Sequence, residues 1–454
     1  MQFSALSREE QERMHEAALC ILEEVGLRVE LPSLVAKLRD HGFPAPAPDR
    51  VLFPRAKIEA ALRCAPQTVE LGARAEGKRI LLDRSRTFVA TGGCGSKTLD
   101  MDTDAVRPAS LADVAASARL ADSLEQFDVY WTMVSPQDVA ISTRVGRGFL
   151  AALQNTVKPI QVIDASQREE AETLARMARA LRSAGAMHGP PVSMLNSVVT
   201  PLRLDPGGTE AAMVFARESL PVVCCSMPIG GVTAPATPAG TVMLAHAEVL
   251  AFATLLQSLY PGCPLIYCSF PVFGDPHTGI SNYWDPRSEW MACAALQLGR
   301  GTGLPCFISG ETLALVGRPD LCAGGGMLEV STVLCFEQLV IENERTRDTR
   351  IAAASQDTSS ESLAVDVVRQ VGPGGHFLAQ RHTLESMKEF PVSRFAGPRG
   401  RITGKGGSRE TSAHERARSE ARRRIDTHRV APLPAALEAT LFAIANARAH
   451  AEVA

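Results

Sequence analysis

Two hydrophobic patterns alternate along the middle of the chain. Short runs that are apolar on both faces recur about every 30–40 residues, and stretches with an apolar stripe at helical spacing lie between most of them. Strands that are buried on both faces are typical of a parallel sheet covered by helices. The alternation therefore predicts an α/β fold, a TIM-type (β/α)8 barrel. The predicted strands are residues 127–134, 159–164, 192–198, 221–227, 265–270, 304–309 and 321–325.

This pattern departs from a regular barrel in two ways. Only seven strands are evident, and we expect the eighth near residues 351–354 or 375–378. Between Ser309 and Leu321 there are only eleven residues, whereas a parallel crossover needs about a dozen or more. Either one strand prediction is wrong, or one βα unit of the barrel is shortened.

The regions flanking the barrel have other patterns. Residues 1–110 begin with helical stretches and continue with short alternating runs, including residues 87–90, which predict an N-terminal helical and small antiparallel β cap. The barrel is expected over residues 111–390. Residues 391–454 are expected to form a C-terminal helical arm.

Composition excludes several classes of function. The net charge of −3 argues against a nucleic-acid binder, and no apolar run reaches the roughly 18 residues that a membrane span needs. Eleven cysteines without a C-x-x-C motif favour reduced thiols and a cytoplasmic protein. The histidines form no H-E-x-x-H motif, so we expect no bound metal. A dispersed site built from Cys268, Cys306 and Cys322 is the alternative.

Aromatic residues are scarce but gather in one stretch. The chain has four Tyr and three Trp, and residues 264–286 contain Tyr267, Tyr283 and Trp284. This stretch begins as a buried strand and continues as a long loop, which a barrel would place at its ligand-binding face. The aromatic side chains could form a cage for a cationic ligand, or they could pack the loop against the barrel.

Polar residues follow several of the predicted strands. Asn196, Glu311 and Glu329 stand at or after strand ends, His277 lies in the aromatic loop, and His376 follows a glycine-rich turn. Charged groups at a barrel mouth are functional more often than charged groups elsewhere. They are therefore candidates for binding or catalysis.

Several segments, taken in order over nearly the whole chain, resemble one family. They include LSREEQ at 6–11, HEAALCILEEVG at 15–26, RPASLAD at 107–113, PIGGVTAPATPAG at 228–240, HAEVLA at 246–251, GGMLE at 325–329, FEQLVIENE at 336–344 and GHFL at 375–378. Together they are similar to the trimethylamine methyltransferase family, in particular to members that lack pyrrolysine and act on quaternary amines such as betaine.

The resemblance implies a TIM-type barrel that moves a methyl group from a methylated amine to the cobalt of a corrinoid. The corrinoid would be carried by a separate partner protein, and we expect a homo-oligomer. No pyrrolysine is present, so a quaternary amine is the expected substrate rather than trimethylamine. Candidate catalytic residues are Glu311, Glu329 and His376, with Arg287 as a possible partner for a substrate carboxylate. Candidate substrate-binding residues are Tyr130, Trp131, Asn196, Tyr267, Phe270, His277, Tyr283, Trp284 and Phe307.

Two other functions stay open at this point. The chain could be a catalytically silent relative that binds a small methylated amine or a partner protein, or a barrel enzyme with another chemistry. The family has a longer segment where this chain has only residues 311–320. That short segment is the feature most favourable to the silent relative.

Overall fold

Eight parallel strands form the centre of the fold. In the computed structural model, residues 4–283, 285–309, 317–354, 357–389, 394–395 and 412–447 are described. Each strand pairs with the next along the chain, and a parallel bridge between Ala90 and Val129 joins the first strand to the second. The predicted TIM-type barrel is confirmed. Its strands are Phe88–Ala90, Tyr130–Trp131, Ile160–Val162, Ser193–Ser197, Val222–Ser226, Leu265–Ser269, Cys306–Ile308 and Leu321–Ala323.

The first of these strands was assigned wrongly from the sequence. Phe88–Ala90 was expected in the antiparallel cap, but it pairs in parallel with the eighth strand, Val89 opposite Cys322. Ile351, expected in a strand, lies in the helix Phe336–Ala353. Residues 375–378 form no strand and end in a bend at residue 377 and a turn at residue 378. A three-residue strand has too little pattern of its own, and only its pairing partner shows that it belongs to the barrel.

The short interval before the eighth strand does not reflect a wrong strand prediction. The seventh and eighth strands are parallel neighbours, with Phe307 opposite Leu321 and Ile308 opposite Cys322. The chain therefore passes from one strand to the next within residues 309–320. Of this connection, residues 310–316 lie outside the described part of the structure.

Helices cover the outside of the barrel. Most begin at side chains that accept hydrogen bonds from their first turn, such as Ser110, which forms a capping box with Asp113. The helix Pro238–Leu259 is apolar all round, and by length and composition it could cross a membrane, but 83% of its most apolar window is buried inside the protein. It is therefore a core helix here. The covering helices are Leu111–Ser123, Arg144–Asn155, Arg168–Ser183, Pro206–Arg217, Pro238–Leu259, Pro286–Gly301 and Phe336–Ala353.

The N-terminal region closes one end of the barrel. Val69–Leu71 and Ile80–Leu82 form an antiparallel hairpin that leads directly into the first barrel strand. Its apolar side chains belong to the same buried cluster as the side chains inside the barrel. A ligand therefore has to enter from the opposite end, where the strands finish. The region also contains the helices Arg8–Glu24, Pro32–Asp40 and Arg55–Cys64. Its strand Leu27–Val29 pairs with Arg50–Val51 on one side and with Arg203–Leu204 on the other.

The open end carries two small sheets built from the loops after barrel strands. The loops after the first and eighth strands form one sheet, with Lys97–Leu99, Val106–Pro108, Met327–Leu328 and Val333–Leu334. The loops after the fifth and sixth strands form the other, with Ile229–Gly230, Val272–Gly274 and Ser281–Asn282. The barrel mouth lies between these two rims.

The C-terminal region adds helices outside the barrel. Ala413–Thr427 packs against Phe336–Ala353, where Arg418 donates to the buried carboxylate of Glu337 at 2.6 Å. Ala435–Asn446 packs against Arg144–Asn155 and Arg168–Ser183. Between these helices and the barrel lie the short helices Ser360–Leu363, Val365–Val371 and Arg381–Ser386 in the sequence.

Candidate active site

Three aromatic side chains meet inside the barrel near its open end. The ring centroids of Trp131 and Phe307 are 5.7 Å apart, those of Phe270 and Phe307 5.2 Å, and those of Trp131 and Phe270 6.4 Å. The two shorter contacts are edge-to-face. Rings this close touch one another, so they form a continuous aromatic floor and not a cage around an empty centre. Three of the predicted substrate-binding residues are therefore brought together.

Two polar side chains stand beside this aromatic floor, and the described residues offer them no hydrogen-bond partners. Gln161 lies opposite Trp131 in the pairing of the second and third strands, and it is fully buried. Both atoms of its amide, and the indole Nε1 of Trp131, have no hydrogen-bond partner among the described residues. Most buried polar groups in proteins are hydrogen-bonded. We call Gln161 and Trp131 Nε1 the polar pair; they are suited to a ligand that accepts hydrogen bonds.

A carboxylic acid lies just beyond the end of the third strand, nearer to the mouth. Asp164 follows the third barrel strand and is half-buried. Burial raises the pKa of Asp164, although a hydrogen bond with Ser135 and the charge of Arg144 act in the opposite direction. A cation bound close by would replace part of the lost hydration and favour the ionised carboxylate.

Tyr130 and Tyr267 lie outside the barrel, contrary to expectation. The hydroxyl of Tyr130 is 2.9 Å from that of Ser117 in a covering helix. The hydroxyl of Tyr267 is 3.1 Å from Nδ1 of His246, whose Nε2 is 3.0 Å from Nδ1 of His15. Successive side chains of a strand point to opposite faces, so Trp131 and Cys268 point inward and these tyrosines point outward. Neither contributes to the aromatic floor.

The loop after the sixth strand is held by its own contacts. Arg287 pairs with Asp285 at 2.6 Å, and its guanidinium lies 3.9 Å from the ring centroid of Phe273. Arg287 is thus already engaged, which weakens the case for it as a carboxylate partner. Tyr283 is 43% exposed and His277 is exposed. Trp284 lies outside the described residues, so its predicted role is not addressed by the structure.

The other polar candidates do not converge on the aromatic floor within the described part of the chain. Asn196 lies beside Gly208 at the start of the helix Pro206–Arg217, on the outer face of its strand. Glu329 is exposed on a turn and has a positive φ of 48°. His376 is exposed in the segment that follows the helix Phe336–Ala353. Glu311 lies outside the described residues.

Sequence reasoning missed Gln161 and Asp164. Both lie within the run 159–164, for which the sequence pattern predicts a buried strand and no functional role. The signal that was available is Gln161 itself. A glutamine in the middle of an otherwise apolar strand is notable, because a buried amide needs a hydrogen-bond partner.

The alternative cysteine metal site is not formed. Cys268 packs with the interior side chains, whereas Cys306 and Cys322 pack on the outer face of the barrel sheet. Among the described residues no group of three His, Cys, Asp or Glu side chains is arranged to hold a metal ion. The three cysteines therefore cannot share one ion.

The sequence matches a known family over almost its whole length. A sequence model described as trimethylamine methyltransferase (MTTB) matches residues 1–324 and 321–452. The chain belongs to the trimethylamine methyltransferase family. This confirms the resemblance found in the sequence, and the family is one of methyltransferases. The two matched segments meet at residues 321–324, directly after the short connection between the last two barrel strands.

Characterised relatives are similar over most of their length. The chain is 26% identical to a trimethylamine methyltransferase of Desulfitobacterium hafniense over 464 residues, covering 97% of this chain and 93% of the relative. It is 27% identical to a glycine betaine methyltransferase of the same species over 410 residues, covering 85% of each. Among solved structures, the monomethylamine methyltransferase of Methanosarcina barkeri has a TM-score of 0.54 at 12% identity, covering 93% of this chain and 88% of that one. This likeness supports the barrel fold.

Proposed function

We propose that this protein transfers a methyl group from a betaine-type quaternary amine to the Co(I) of a corrinoid carried by a partner protein. The observation that supports this most directly is the polar pair beside the aromatic floor, in a barrel whose other end is closed by the N-terminal hairpin. One ligand that fits both features carries a cationic methylated nitrogen and an anionic group.

The cationic end of such a substrate suits the aromatic floor and Asp164. A quaternary ammonium is attracted to the faces of aromatic rings by about 0.5–2 kcal/mol or more when it is desolvated. Asp164 adds attraction between opposite charges in a setting where water is partly excluded. Neither group competes with the incoming nucleophile for the methyl carbon.

The anionic end suits the polar pair. The indole N–H of Trp131 and the amide N–H groups of Gln161 are donors, and both are buried with no hydrogen-bond partner in the part of the chain that the structure describes. Hydrogen bonds to a carboxylate are stronger than those to neutral acceptors. Holding the carboxylate fixes the orientation of the substrate, so that one N-methyl group points to the mouth.

The reaction needs no further catalytic group from the protein. The methyl carbon is displaced from a quaternary nitrogen, which leaves as a neutral tertiary amine, so no general acid is needed. The work of the residues is to bind the cation, to aim one methyl group and to exclude water. This agrees with a mouth where Glu329 and His376, the two catalytic candidates that the structure describes, lie exposed and apart from the aromatic floor.

The rim of the mouth suits the approach of a flat, largely apolar macrocycle. Met227, Val232, Ile280 and Tyr283, on the loops after the fifth and sixth strands, are between 40% and 57% exposed. A corrinoid presented by a partner protein would supply the nucleophilic Co(I) that accepts the methyl group. The exposed apolar side chains would cover its face and keep water from the reacting methyl group.

The second candidate is a silent relative that binds the amine without transferring a methyl group. It is favoured by the break of the family match at residues 321–324, beside the short connection of residues 309–320. A shortened connection on one side of the mouth would affect the docking of the partner protein more than it would affect the aromatic floor or the polar pair.

The decisive experiment mixes the purified protein with Co(I) cobalamin, or with a Co(I) corrinoid protein, and a panel of methylated amines. The panel contains glycine betaine, longer betaines, tetramethylammonium and trimethylamine. We expect a methylated corrinoid, seen by its absorbance change, from a betaine and not from trimethylamine. Tight binding of a betaine without methyl transfer to either acceptor would favour the silent relative.

Matched variants connect the result to the proposed site. Phe307→Leu removes a ring of the aromatic floor and should weaken binding of betaines and of tetramethylammonium alike. Tyr267→Phe removes a hydroxyl on the outer face of the barrel and should leave both unchanged. Equal effects of the two variants would contradict the placement of the site.

A further inference from the structure

Two cysteine side chains lie side by side inside the barrel. Cys225 of the fifth strand is directly opposite Cys268 of the sixth strand in their parallel pairing. Both are free thiols, and both are fully buried in the cluster of interior side chains. A hydrogen bond joins the two thiols. We call Cys225 and Cys268 the thiol pair.

The thiol pair has the spacing that a disulfide needs. Neighbouring strands of a sheet are about 4.7–4.9 Å apart, which is the Cα separation expected for two residues directly opposite each other. Disulfides join cysteines whose Cα atoms are about 4.4–6.8 Å apart. A bond between Cys225 and Cys268 can therefore form by rotation of the side chains while both strands keep their places.

The thiol pair borders the aromatic floor. Cys268 is opposite Phe307 in the pairing of the sixth and seventh strands, and Phe270 follows it by two residues on the same face of the chain. Cys225 lies beneath the rim, because burial and the nearby Cys225 thiol together raise the pKa of Tyr283 on the rim loop. A small solute that reaches the aromatic floor through the mouth therefore passes beside the thiol pair.

A third small side chain continues this row towards the fourth strand. Ser197 is opposite Cys225 in the pairing of the fourth and fifth strands, and it faces the interior like Leu195, two residues before it. Its hydroxyl is buried, and the described residues offer it no hydrogen-bond partner. A donor in this position suits a peroxide oxygen beside Cys225, since a hydrogen bond stabilises the charge that develops on an oxygen as it leaves.

We propose that the thiol pair is an oxidation site, at which a peroxide forms a disulfide between Cys225 and Cys268 and thereby stops the protein from binding its substrate. Hydrogen peroxide first transfers one oxygen to the Cys225 sulfur, giving a sulfenic acid and water. The Cys268 sulfur then bonds to the Cys225 sulfur and displaces hydroxide, which leaves as water with the Cys268 proton. The two thiols lose two electrons, and the peroxide is reduced to two molecules of water.

The disulfide changes the aromatic floor. It brings the two sulfurs to about 2.05 Å from each other, closer than any contact between atoms that are not bonded, and so it draws the Cys268 side chain away from Phe307 and Phe270. Because protein interiors are closely packed, the rings move with their neighbour, and their faces no longer meet a bound cation.

This inference rests on the proposed function, since it concerns the regulation of the same site. The Co(I) acceptor is a strong reductant, and the peroxide that oxidises the thiol pair oxidises it as well. The disulfide therefore prevents substrate binding under conditions in which the acceptor is lost.

Peptide mapping by mass spectrometry tests the cross-link. The full chain is treated with hydrogen peroxide, its remaining thiols are alkylated, and the digest is searched for a peptide that joins the fifth and sixth strands. Cys224 would be in the same peptide, but it lies on the outer face opposite Tyr267. The link should therefore persist in Cys224→Ser and disappear in Cys225→Ser. Cysteines that both stay open to alkylation after the peroxide, or a link that survives in Cys225→Ser, would overturn the proposal.

Calorimetric titration with tetramethylammonium measures the consequence for binding. The oxidised wild type should bind at least about tenfold more weakly than the reduced protein, because displaced rings lose their contact with the cation, and dithiothreitol should restore the affinity. Cys268→Ser should bind equally before and after the peroxide, whereas Cys224→Ser should lose affinity as the wild type does. Undiminished binding by the cross-linked protein would refute the regulatory role. A reduced wild type that binds no methylated amine would instead refute the proposed function, and the cross-link, detected by mass alone, decides separately whether the thiol pair is an oxidation site.

Discussion

The substitution Gln161→Leu should stabilise the protein and impair its function. Gln161 is fully buried, and neither atom of its amide has a partner in the described structure. A buried polar group without a partner costs about 1–3 kcal/mol. Leucine has a similar size and no polar atoms, so it removes this cost and adds apolar contacts with the interior cluster. Such an exchange of stability for activity is expected at a binding site.

The expected magnitudes follow from these contacts. A gain of about 1–2 kcal/mol should raise the Tm by about 1–2 °C in a chain of this length. Loss of a hydrogen bond to a charged group costs about 1.5–3 kcal/mol, so kcat/KM for a betaine should fall about tenfold to a hundredfold. Binding of tetramethylammonium, which has no carboxylate, should not change.

A buried glutamine with partners gives the matched control. The amide of Gln257 donates to the carbonyl of Cys263 at 2.7 Å and accepts from the N–H of Gly262 at 2.8 Å. Gln257→Leu should therefore lower the Tm. Thermal unfolding monitored by circular dichroism, with and without betaine, compares the two variants. A Gln161→Leu protein that is less stable than the wild type, or that keeps full activity, would refute the proposed role of Gln161.

Three further predictions concern charge. Asp164→Asn should weaken binding of betaine and of tetramethylammonium about equally in calorimetric titration, because it removes attraction to the cation; a loss confined to betaine would contradict this role. Burial, together with the charge of His15, lowers the pKa of His246 to about 3. The contribution of neutral His246 to the free energy of unfolding is therefore fully present above pH of about 6.5. It is lost as the pH falls towards 3, by up to about 1.4 kcal/mol per pH unit. His246→Gln should flatten the Tm between pH 6.5 and 4, whereas replacing the exposed His41 should not; the same slope in both variants would exclude His246 as its source. Arg418→Ala should cost about 3 kcal/mol or more, since it leaves the fully buried Glu337 without its cation; a Tm within a degree of wild type would show that the ion pair does not hold the helix Ala413–Thr427.

The sequence predicted the barrel because its strands leave a strong signal. Residues such as 265–270 are apolar on both faces, and the helices between them keep a regular spacing. The strand Phe88–Ala90 was missed, because three residues between charged turns look the same in a hairpin and in a barrel. Its place depends on Leu321–Ala323, more than two hundred residues away, and no local pattern contains that pairing.

The site was predicted less well than the fold, and the aromatic residues show why. In a strand that is apolar on both faces, the sequence does not reveal which face is inward. Tyr267 and Cys268 are adjacent, and a shift by one residue exchanges their positions. The prediction that Tyr130 and Tyr267 line the mouth assumed the wrong face of each strand. Trp131, Phe270 and Phe307 do face the interior, and their part in binding a substrate stays a prediction.

The sequence by itself determined the family, the barrel class and the set of aromatic residues from which a cation site can be built. The motifs that show the family are short and continuous in the sequence, so they can be recognised without knowing which residues are in contact in the fold. Only the tertiary structure decided which side of each strand faces the interior, and that the aromatic side chains form a floor. It also decided that Gln161 stands beside Trp131 without a hydrogen-bond partner among the described residues. Closure of the barrel fixes all eight strand orientations at once, and that constraint is a property of the assembled sheet.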